Sequence, residues 1–321
     1  MVINETALKK SNVLVVGDLI LDQYYWTQVR RISPEAPVPV CHIQKKTSCL
    51  GGAGNVANNL SSFGINVSVA GVIGKDSNAK IMATHFKQAN INMTHLIELE
   101  NYPTICKTRV IAKDQQICRL DDEDSNMNID DSLTLCLNQL LTSSIDFNAI
   151  ILSDYNKGVI SKEMAQAIIQ FANDKNIPIV VDPKCNDVNK YAGATYLTPN
   201  LKEFHEMIGE IDDINLDELV KKGQEINRKY NIKHLILTRS ENGMSHISSN
   251  EIQHYATKAI ELSDVTGAGD TVVAAIAAGA SLNLDPKDII HFANLAAGVV
   301  VSKVGTATAT VQEIMDHEQH F

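Results

Sequence analysis

Short apolar runs rich in β-branched residues alternate along this chain with longer amphipathic stretches. Nearly continuous apolar runs predict strands that are covered on both faces, and the stretches between them predict the covering helices. The alternation therefore predicts an α/β fold with a doubly wound, mostly parallel sheet and helices on both faces. The predicted strands are 13–16, 67–73, 149–152, 179–181, 196–197 and 235–238, and the predicted helices are 54–63, 78–88, 131–142, 162–175, 200–207 and 216–230.

Two segments interrupt this rhythm, at about residues 23–45 and 101–121. The first contains PEAPVP followed by an alternating VPVCHI, and the second contains KDQQ as a turn between two strand-like runs. Both look antiparallel, and neither is followed directly by a helix. We expect them to form a small β-sheet lid inserted into the α/β core of a single domain, residues 1–321. After Thr310 we expect only a short polar tail.

The composition narrows the range of partners. A net charge of -10 argues against nucleic acid, because a phosphate backbone needs a basic face. The six cysteines show neither C-x-x-C nor zinc spacing, which favours reduced thiols and a cytoplasmic location. The longest apolar stretches, 272–280 and 295–301, are too short to cross a membrane. These features predict a cytoplasmic protein that binds small molecules.

The sequence DVTGAGDT, residues 264–271, precedes the apolar run VVAAIAAGA. Gly267 and Gly269 permit a tight turn and close approach of a ligand to the backbone. A helix that begins there directs free N–H groups and its positive dipole end toward anions, which predicts an anion site at Gly267, Ala268 and Gly269. Asp270 would stay ionised and could accept a hydroxyl proton during phosphoryl transfer. A glycine-rich N-cap with Asp270 satisfying the helix dipole would show the same pattern.

The stretch GGAGNVANNL, residues 51–60, predicts contacts with substrate hydroxyls. Gly51 and Gly52 would admit the hydroxyls to the backbone, and the Asn55 amide can both donate and accept hydrogen bonds. Gly52, Gly54 and Ala57 also fit the dinucleotide fingerprint G-x-G-x-x-A. That fingerprint requires a strand immediately upstream, whereas the polar QKKTSC precedes it here, so the dinucleotide interpretation is disfavoured.

The stretch TPNLKE, residues 198–203, places Asn200 and Glu203 three residues apart at a helix start. The two side chains would share one face and could hold the water shell of Mg²⁺ near nucleotide phosphates. The same residues also fit an N-cap with its capping-box partner. Taken alone, the pattern favours the capping arrangement.

These three segments, in this order, resemble the PfkB/ribokinase family of sugar kinases over about residues 12–310. Val265 departs from the family pattern, which usually has Thr there. The resemblance implies a ribokinase-like fold with a β-sheet lid, and ATP and Mg²⁺ as cofactors. It implies that Asp270 is the catalytic base, that residues 267–269 form the anion hole, and that Asn200 and Glu203 lie near the ATP phosphates and Mg²⁺.

Further site residues follow only from this resemblance. Thr238 and Gly243, in LTRSENGM, resemble nucleotide-loop positions, and Asn294 resembles a position near the adenine. Asp264 and Thr266, with the loop near Gly305, resemble the monovalent-cation site, for K⁺, that some members have.

The stretches GDLILDQYYWTQVRRISPEAPVPV, DQQICRLDDED, LSDYNKGVI and VDPK resemble the members that phosphorylate D-glycero-D-manno-heptose 7-phosphate at its anomeric hydroxyl, for lipopolysaccharide. Such kinases are often the first half of a bifunctional chain, and we expect a stand-alone kinase here. Asp18, after the first strand, and Asp22 could bind sugar hydroxyls. Four basic residues could bind the 7-phosphate, although for any one of them alone a solvated surface charge is the favoured interpretation: Arg109, Arg119, Lys157 and Lys184.

Three other functions stay open. The chain could be a kinase of the same family for another sugar, sugar phosphate or nucleoside, or a non-catalytic sugar or nucleotide sensor on the same fold. An NAD-dependent oxidoreductase is the most distant alternative. Because a lid sheet leaves edges that a second subunit could cover, we also expect a homodimer.

Overall fold

A computed structural model of the chain describes residues 3–124, 129–142, 145–184, 186–209, 215–258, 264–303 and 305–319. The strands are β1 (Asn12–Gly17), β2 (Leu19–Ile32), β3 (Pro39–Gly52), β4 (Asn66–Gly74), β5 (Asn92–Leu99), β6 (Cys106–Ala112), β7 (Gln115–Asp122), β8 (Ala149–Ser153), β9 (Ile179–Asp182), β10 (Tyr196–Leu197), β11 (His234–Thr238), β12 (Met244–Ser248) and β13 (Ile252–Tyr255). The helices are α1 (Glu5–Leu8), α2 (Ala53–Ser62), α3 (Ser77–Gln88), α4 (Asp130–Leu141), α5 (Lys162–Asp174), α6 (Leu201–Ile208), α7 (Leu216–Tyr230), α8 (Ala268–Ser281), α9 (Pro286–Val301) and α10 (Val311–Glu318).

The larger sheet has nine strands in the order β13-β12-β11-β10-β9-β8-β1-β4-β5. The seven strands from β11 to β5 are parallel, and β12 and β13 continue the sheet antiparallel. Alternate residues of β1 enter different cores: Val13 and Val15 pack on the side of α2, α8 and α9, whereas Leu14 and Val16 pack on the side of α4, α5 and α7. The predicted α/β fold with helices on both faces is therefore confirmed.

The smaller sheet has the order β3-β2-β6-β7. Its hairpins β2–β3 and β6–β7 are antiparallel, as the two segments predict, whereas β2 and β6, which join the hairpins, pair in parallel. The β6–β7 turn consists of Lys113 and Asp114, with φ of 48° and 64°. Positive φ at both central residues is the geometry that matches the twist of a two-residue hairpin.

The C-terminal part of the chain corrects one expectation and supports another. The expectation of only a short polar tail after Thr310 is wrong, because Thr310 and Glu313 form a reciprocal capping box that starts α10. Helix α8 is buried from Asp270 to Ser281, as its apolar sequence predicts. Within the described ranges, no helix combines the length and the apolarity needed to cross a membrane.

Candidate active site

A cleft opens at the carboxyl edge of the parallel sheet, beside the first turn of α8. Strands β8, β9, β10 and β11 all end there, which is where open α/β sheets bind ligands. The cleft is lined by Asp154, Tyr155, Asp182, Pro183, Lys184, Thr198, Asn200, Glu203, Thr238, Gly267, Gly269, Asp270 and Val272. The structure thus brings the predicted catalytic turn together with residues predicted to bind the nucleotide.

The two glycines at the start of α8 differ in what they accommodate. Gly267 has φ of +80°, and a Cβ there would lie 2.9 Å from Nδ2 of Asn55, so both conformation and packing require glycine. A Cβ on Gly269 would meet no protein atom within 4 Å. The N–H of Ala268 is already bonded to the carbonyl of Val265 at 3.2 Å. Among the described residues, no acceptor bonds the N–H groups of Gly267, Gly269 and Asp270, which leaves these three as the free donors of this turn.

Asp270 is buried at the base of the cleft and is held by two neutral donors. The Tyr155 hydroxyl donates to Oδ1 at 2.5 Å, and the Asn55 amide donates to Oδ2 at 2.6 Å. Burial raises the pKa of Asp270 to about 6, although both hydrogen bonds lower it; the charge of Asp22 raises it further. The helix dipole was expected to keep this carboxylate fully ionised, but burial is the larger effect. A pKa near neutral suits a general base.

Helix α2 supports this carboxylate through a chain of buried amides. Asn59 donates to the carbonyl of Asn55 at 3.0 Å, and the Thr271 hydroxyl donates to Oδ1 of Asn59 at 3.0 Å. Asn55 and Asp270 are thereby fixed relative to each other by a second link between the helices α2 and α8. Asn55 was predicted to contact the substrate; in the structure its side chain contacts the predicted base, Asp270.

Asp18 has a different role from the predicted sugar ligand. Its side chain is completely buried, and its carboxylate accepts the N–H groups of Tyr155 at 2.8 Å, Lys157 at 3.1 Å and Val159 at 3.0 Å. Because both oxygens are enclosed and bonded, Asp18 cannot contact a substrate in this structure. It instead shapes the loop that carries Tyr155 into the cleft.

Gly51 and Gly52 leave room for the protein's own atoms. A Cβ on Gly51 would lie 2.2 Å from Oδ2 of Asp22, and one on Gly52 would lie 2.5 Å from the carbonyl oxygen of Asp18. Asp22 is nearly buried and pairs with the guanidinium of Arg109. The predicted space for sugar hydroxyls at these glycines is thus occupied, whereas Asp22 itself lies near Asp270.

The structure separates the four predicted phosphate-binding cations into two groups. On the lid side, Arg109 pairs with Asp22, Arg119 with Asp121 at 2.8 Å and Lys157 with Glu123 at 2.6 Å. Lys184 lies apart from them, in the cleft, with Nζ 2.8 Å from Oε1 of Glu203. Lys184 therefore stands with the residues predicted for the nucleotide rather than with those predicted for the sugar phosphate.

Asn200 and Glu203 form the capping box that the sequence allowed. Oδ1 of Asn200 accepts the N–H of Glu203 at 2.9 Å, and Oε2 of Glu203 accepts the N–H of Asn200 at 2.9 Å. Both residues also line the cleft beside Thr238. The capping interpretation is confirmed, and it leaves Oε1 of Glu203 directed to Lys184; the metal role stays a prediction.

Gly243 and Asn294 lie outside the described lining of the cleft. Gly243 has φ of +76°, and a Cβ there would lie 2.0 Å from the carbonyl of Tyr255. The Asn294 amide donates to the carbonyl of Ala256 at 2.7 Å. Both residues therefore secure the end of β13 and the loop after it.

Asp264, Thr266 and Gly305 lie together, and their predicted role as a monovalent-cation loop stays a prediction. The Asp264 carboxylate accepts the N–H of Thr266 at 2.9 Å and the N–H of Gly305 at 3.0 Å. The side-chain hydrogen bond from Thr266 lowers the pKa of Asp264. Val265 between them is exposed, so its departure from the family pattern disturbs no packing.

Sequence reasoning missed three acidic or phenolic residues of the cleft: Asp154, Tyr155 and Asp182. All three end or follow strands, at the same edge from which Asp18 was selected. The signal was therefore available in LSDYNKG and VDPK, where polar residues follow β8 and β9 directly.

A carboxylate at the head of a glycine-turn helix, free N–H groups beside it and a cleft at the strand ends define a phosphotransferase of the α/β class. The chain matches the pfkB family of carbohydrate kinases over residues 10–313, and it belongs to that family. The expectation that no strand precedes Gly52 is wrong, because β3 runs through QKKTSC and ends at Gly52 itself. The dinucleotide alternative fails on topology instead, since β3 belongs to the small sheet and not to the parallel one.

Curated relatives include the "Bifunctional protein HldE" of Sulfurimonas denitrificans, 42% identical over 306 residues, which cover 95% of this chain and 64% of that protein. The protein of the same name from Geobacter sulfurreducens is 43% identical over 307 residues, which cover 95% of this chain and 62% of that protein. The chain thus spans slightly less than two thirds of the length of these relatives.

Solved structures share the fold at low sequence identity. Arabidopsis thaliana ribokinase complexed with ribose and ATP has a TM-score of 0.74 and 18% identity, covering 96% of this chain and 98% of that one. Escherichia coli phosphofructokinase-2 in complex with potassium has a TM-score of 0.78 and 16% identity, covering 97% and 98%. These similarities identify a ribokinase-like fold with a large, mostly parallel sheet and a smaller separate one.

Proposed function

We propose that this carbohydrate kinase transfers the γ-phosphate of ATP to the anomeric hydroxyl of D-glycero-β-D-manno-heptose 7-phosphate, giving the 1,7-bisphosphate for lipopolysaccharide heptose synthesis in the cytoplasm. The observation that carries the proposed chemistry is the Asp270 carboxylate, buried in the cleft and held by two neutral donors. The choice of sugar is supported by the four sequence stretches that resemble heptose 7-phosphate kinases.

In the proposed reaction, Asp270 accepts the proton of the anomeric hydroxyl while the oxygen of that hydroxyl attacks the γ-phosphorus in line. The bond from that phosphorus to the β–γ bridging oxygen breaks, and ADP leaves. The free N–H groups of Gly269 and Asp270 would donate to the negative charge on the migrating group. This division of labour places the base and the anion donors on one helical turn.

The residues present fit Mg²⁺ bound through water and nucleotide phosphates. Among the described residues, no three His, Cys, Asp or Glu side chains converge as an ion cage. Glu203 and Asp182 line the cleft, and carboxylates at such positions orient the water shell of an ion that keeps several waters. When bound, the ion would neutralise phosphate charge. Asp264, Thr266 and Gly305 would form the monovalent-cation loop, for K⁺.

The sugar phosphate would bind between the lid and the loop after β8. Asp22 would accept sugar hydroxyls, while Arg109, Arg119 and Lys157 would face the 7-phosphate. Each cation now pairs with a carboxylate at the same surface, so an incoming phosphate competes with an anion already in place. This competition favours a doubly charged phosphate over a neutral hydroxyl.

A comparison of two Asp→Asn variants tests the chemistry. Asp270→Asn should lower kcat on the order of 10²-fold or more while leaving the KM for ATP nearly unchanged, because it removes a general base. Asp285→Asn is the matched control, since Asp285 is an exposed N-cap of the neighbouring α9 and Asn caps equally well. Near-native turnover by Asp270→Asn would exclude it as the base.

The substrate is tested by ADP release with heptose 7-phosphate, fructose 6-phosphate and ribose. Heptose 7-phosphate should give the highest kcat/KM. Arg109→Met should raise the KM for it while leaving turnover of the unphosphorylated heptose unaffected. Preference for another acceptor would replace the proposed sugar within the same family, and the absence of ATP turnover with any sugar would favour a sensor.

We also propose a homodimer formed through the lid. Four large apolar residues of the small sheet and its β2–β3 connection are at least 49% exposed: Ile32, Val38, Ile43 and Leu120. Light scattering after size exclusion should give twice the chain mass of 35.1 kDa, and a mass of one chain would refute the dimer.

A further inference from the structure

We propose that Tyr155 is a positioning residue for the general base: its hydroxyl group orients the Asp270 carboxylate and stabilises the charged form. The inference rests on the proposed function, in which Asp270 accepts the proton. The Tyr155 hydroxyl lies 2.5 Å from Oδ1 of Asp270, while Asn55 occupies Oδ2 at 2.6 Å. With one donor on each oxygen, the plane of the carboxylate is fixed.

The character of the donor decides which form of Asp270 it favours. A phenol hydroxyl bonds a carboxylate more strongly than it bonds a neutral carboxylic acid, because hydrogen bonds to ionised acceptors are the stronger ones. Burial raises the pKa of Tyr155 well above its ordinary value, so the phenol remains protonated and a donor throughout the pH range in which Asp270 titrates.

No cation performs this task in the described structure. The titratable groups that face Asp270 are Tyr155 from the loop after β8, Asp22 from β2 and Asp182 from β9. The charge of Asp22 opposes ionisation of Asp270, whereas burial and the charge of Asp270 raise the pKa of Asp182 well above its usual range. The cleft's other charged groups, Glu203 and Lys184, are paired with each other, and Asp154 is paired with Lys190. Two neutral donors are therefore what offsets the burial of a charged Asp270.

The loop around Tyr155 is built to hold the phenol in place. The Asp18 carboxylate accepts the N–H groups of three residues of this loop, Tyr155, Lys157 and Val159. The preceding residue, Asp154, is buried and accepts Lys190 Nζ and the Tyr191 hydroxyl, at 2.5 Å and 2.6 Å. The loop is thus anchored on both sides of β8, which gives Tyr155 a fixed backbone from which to reach Asp270.

The test is the pH dependence of kcat/KM for wild type and Tyr155→Phe, with ATP and the sugar phosphate. Loss of one hydrogen bond to a charged group should shift the acid limb of the profile upward by about one to two pH units. Activity at pH 6 should fall about five- to fiftyfold, and activity at pH 9 should fall less than about threefold.

Tyr191→Phe is the matched control, because it removes a buried hydroxyl that donates to Asp154 instead of Asp270. Its acid limb should keep the wild-type midpoint even if its thermal stability decreases. A Tyr155→Phe profile that falls equally at every pH, or that does not change, would overturn the proposal, since a merely structural tyrosine leaves the midpoint in place.

A titration without turnover separates this inference from the proposed function. In protein labelled with ¹³C at aspartate carboxyls, the Asp270 signal is identified by its absence in Asp270→Asn. Its midpoint should be higher in Tyr155→Phe than in wild type, and an equal midpoint would refute the positioning role. If wild type phosphorylates no sugar, the proposed function fails, while this titration still decides whether Tyr155 controls the charge of Asp270.

Discussion

Asp270→Asn should make the protein more stable while it removes activity. The pKa of this carboxyl rises from 3.8 to about 6 on folding, chiefly because it is buried. A folded pKa above the unfolded value means that the folded state binds more protons between the two values, so stability is lost as pH rises through that window. At about 1.4 kcal/mol per pKa unit, ionised Asp270 costs about 3 kcal/mol at pH 8 and about half of that at pH 5.

Asparagine avoids this cost and can keep both contacts, accepting from Asn55 through its oxygen and donating to the phenol oxygen of Tyr155. Urea unfolding of both proteins should therefore show Asp270→Asn more stable by about 1 to 3 kcal/mol at pH 8, with a smaller difference at pH 5. Because only the difference between the proteins is used, titrating groups that do not interact with Asp270 cancel. Equal or lower stability of the variant at pH 8 would refute the burial argument.

Gly269→Ala should leave the free energy of unfolding unchanged or raise it by up to about 1 kcal/mol, since alanine favours helix and its Cβ meets no protein atom. The same change should lower kcat/KM for ATP at least about tenfold, and unaltered ATP kinetics would contradict the anion site. Burial lowers the pKa of His234, whose Nδ1 lies 3.0 Å from Nε2 of His246, to about 4. As pH falls from about 6.5 to 4, the wild type should therefore lose about 1.4 kcal/mol of stability per pH unit relative to His234→Gln. An equal pH dependence of urea unfolding in the two proteins would exclude this. Asp18→Asn should lower the unfolding free energy by about 1 to 3 kcal/mol, because a buried N–H loses its acceptor; unchanged urea unfolding at pH 7 would show that the loop adapts.

The parts of the fold that the sequence predicts are those governed by local pattern. Continuous apolar runs identify β1, β4, β8, β9, β10 and β11, because strands buried on both faces have no polar alternation. Edge strand β5 is half-exposed and its apolar residues are scattered, so it escapes that rule. The parallel pairing of β2 with β6 joins segments more than 80 residues apart, for example Leu21 with Cys106, and no local pattern encodes it. Helix α10 was predictable, since Thr310 and Glu313 carry the capping-box spacing.

At the site, likewise, the sequence indicates which residues follow the strand ends but not which groups they bond. The rule that ligands bind beyond strand ends selects Asp18, and the rule is right about its place in the chain. What the sequence cannot show is that three N–H groups of a loop more than 130 residues away occupy its carboxylate. The position of Lys184 is similar: the strand end was evident, but its neighbour Glu203 became evident only in three dimensions.

Partner type also separates Asp270, the proposed base, from three other aspartates at this edge: Asp18, Asp22 and Asp154. Asp22 is paired with Arg109 and Asp154 with Lys190, so either would have to break an ion pair before accepting a proton. Asp18 is sealed by backbone donors. Asp270 alone, among these four, is bonded only by neutral side-chain donors and lies beside free N–H groups of a helix start. Asp270 can therefore accept a proton without the loss of a salt bridge. In the proposed reaction, the negative charge that develops on the migrating phosphate would meet N–H donors already in place.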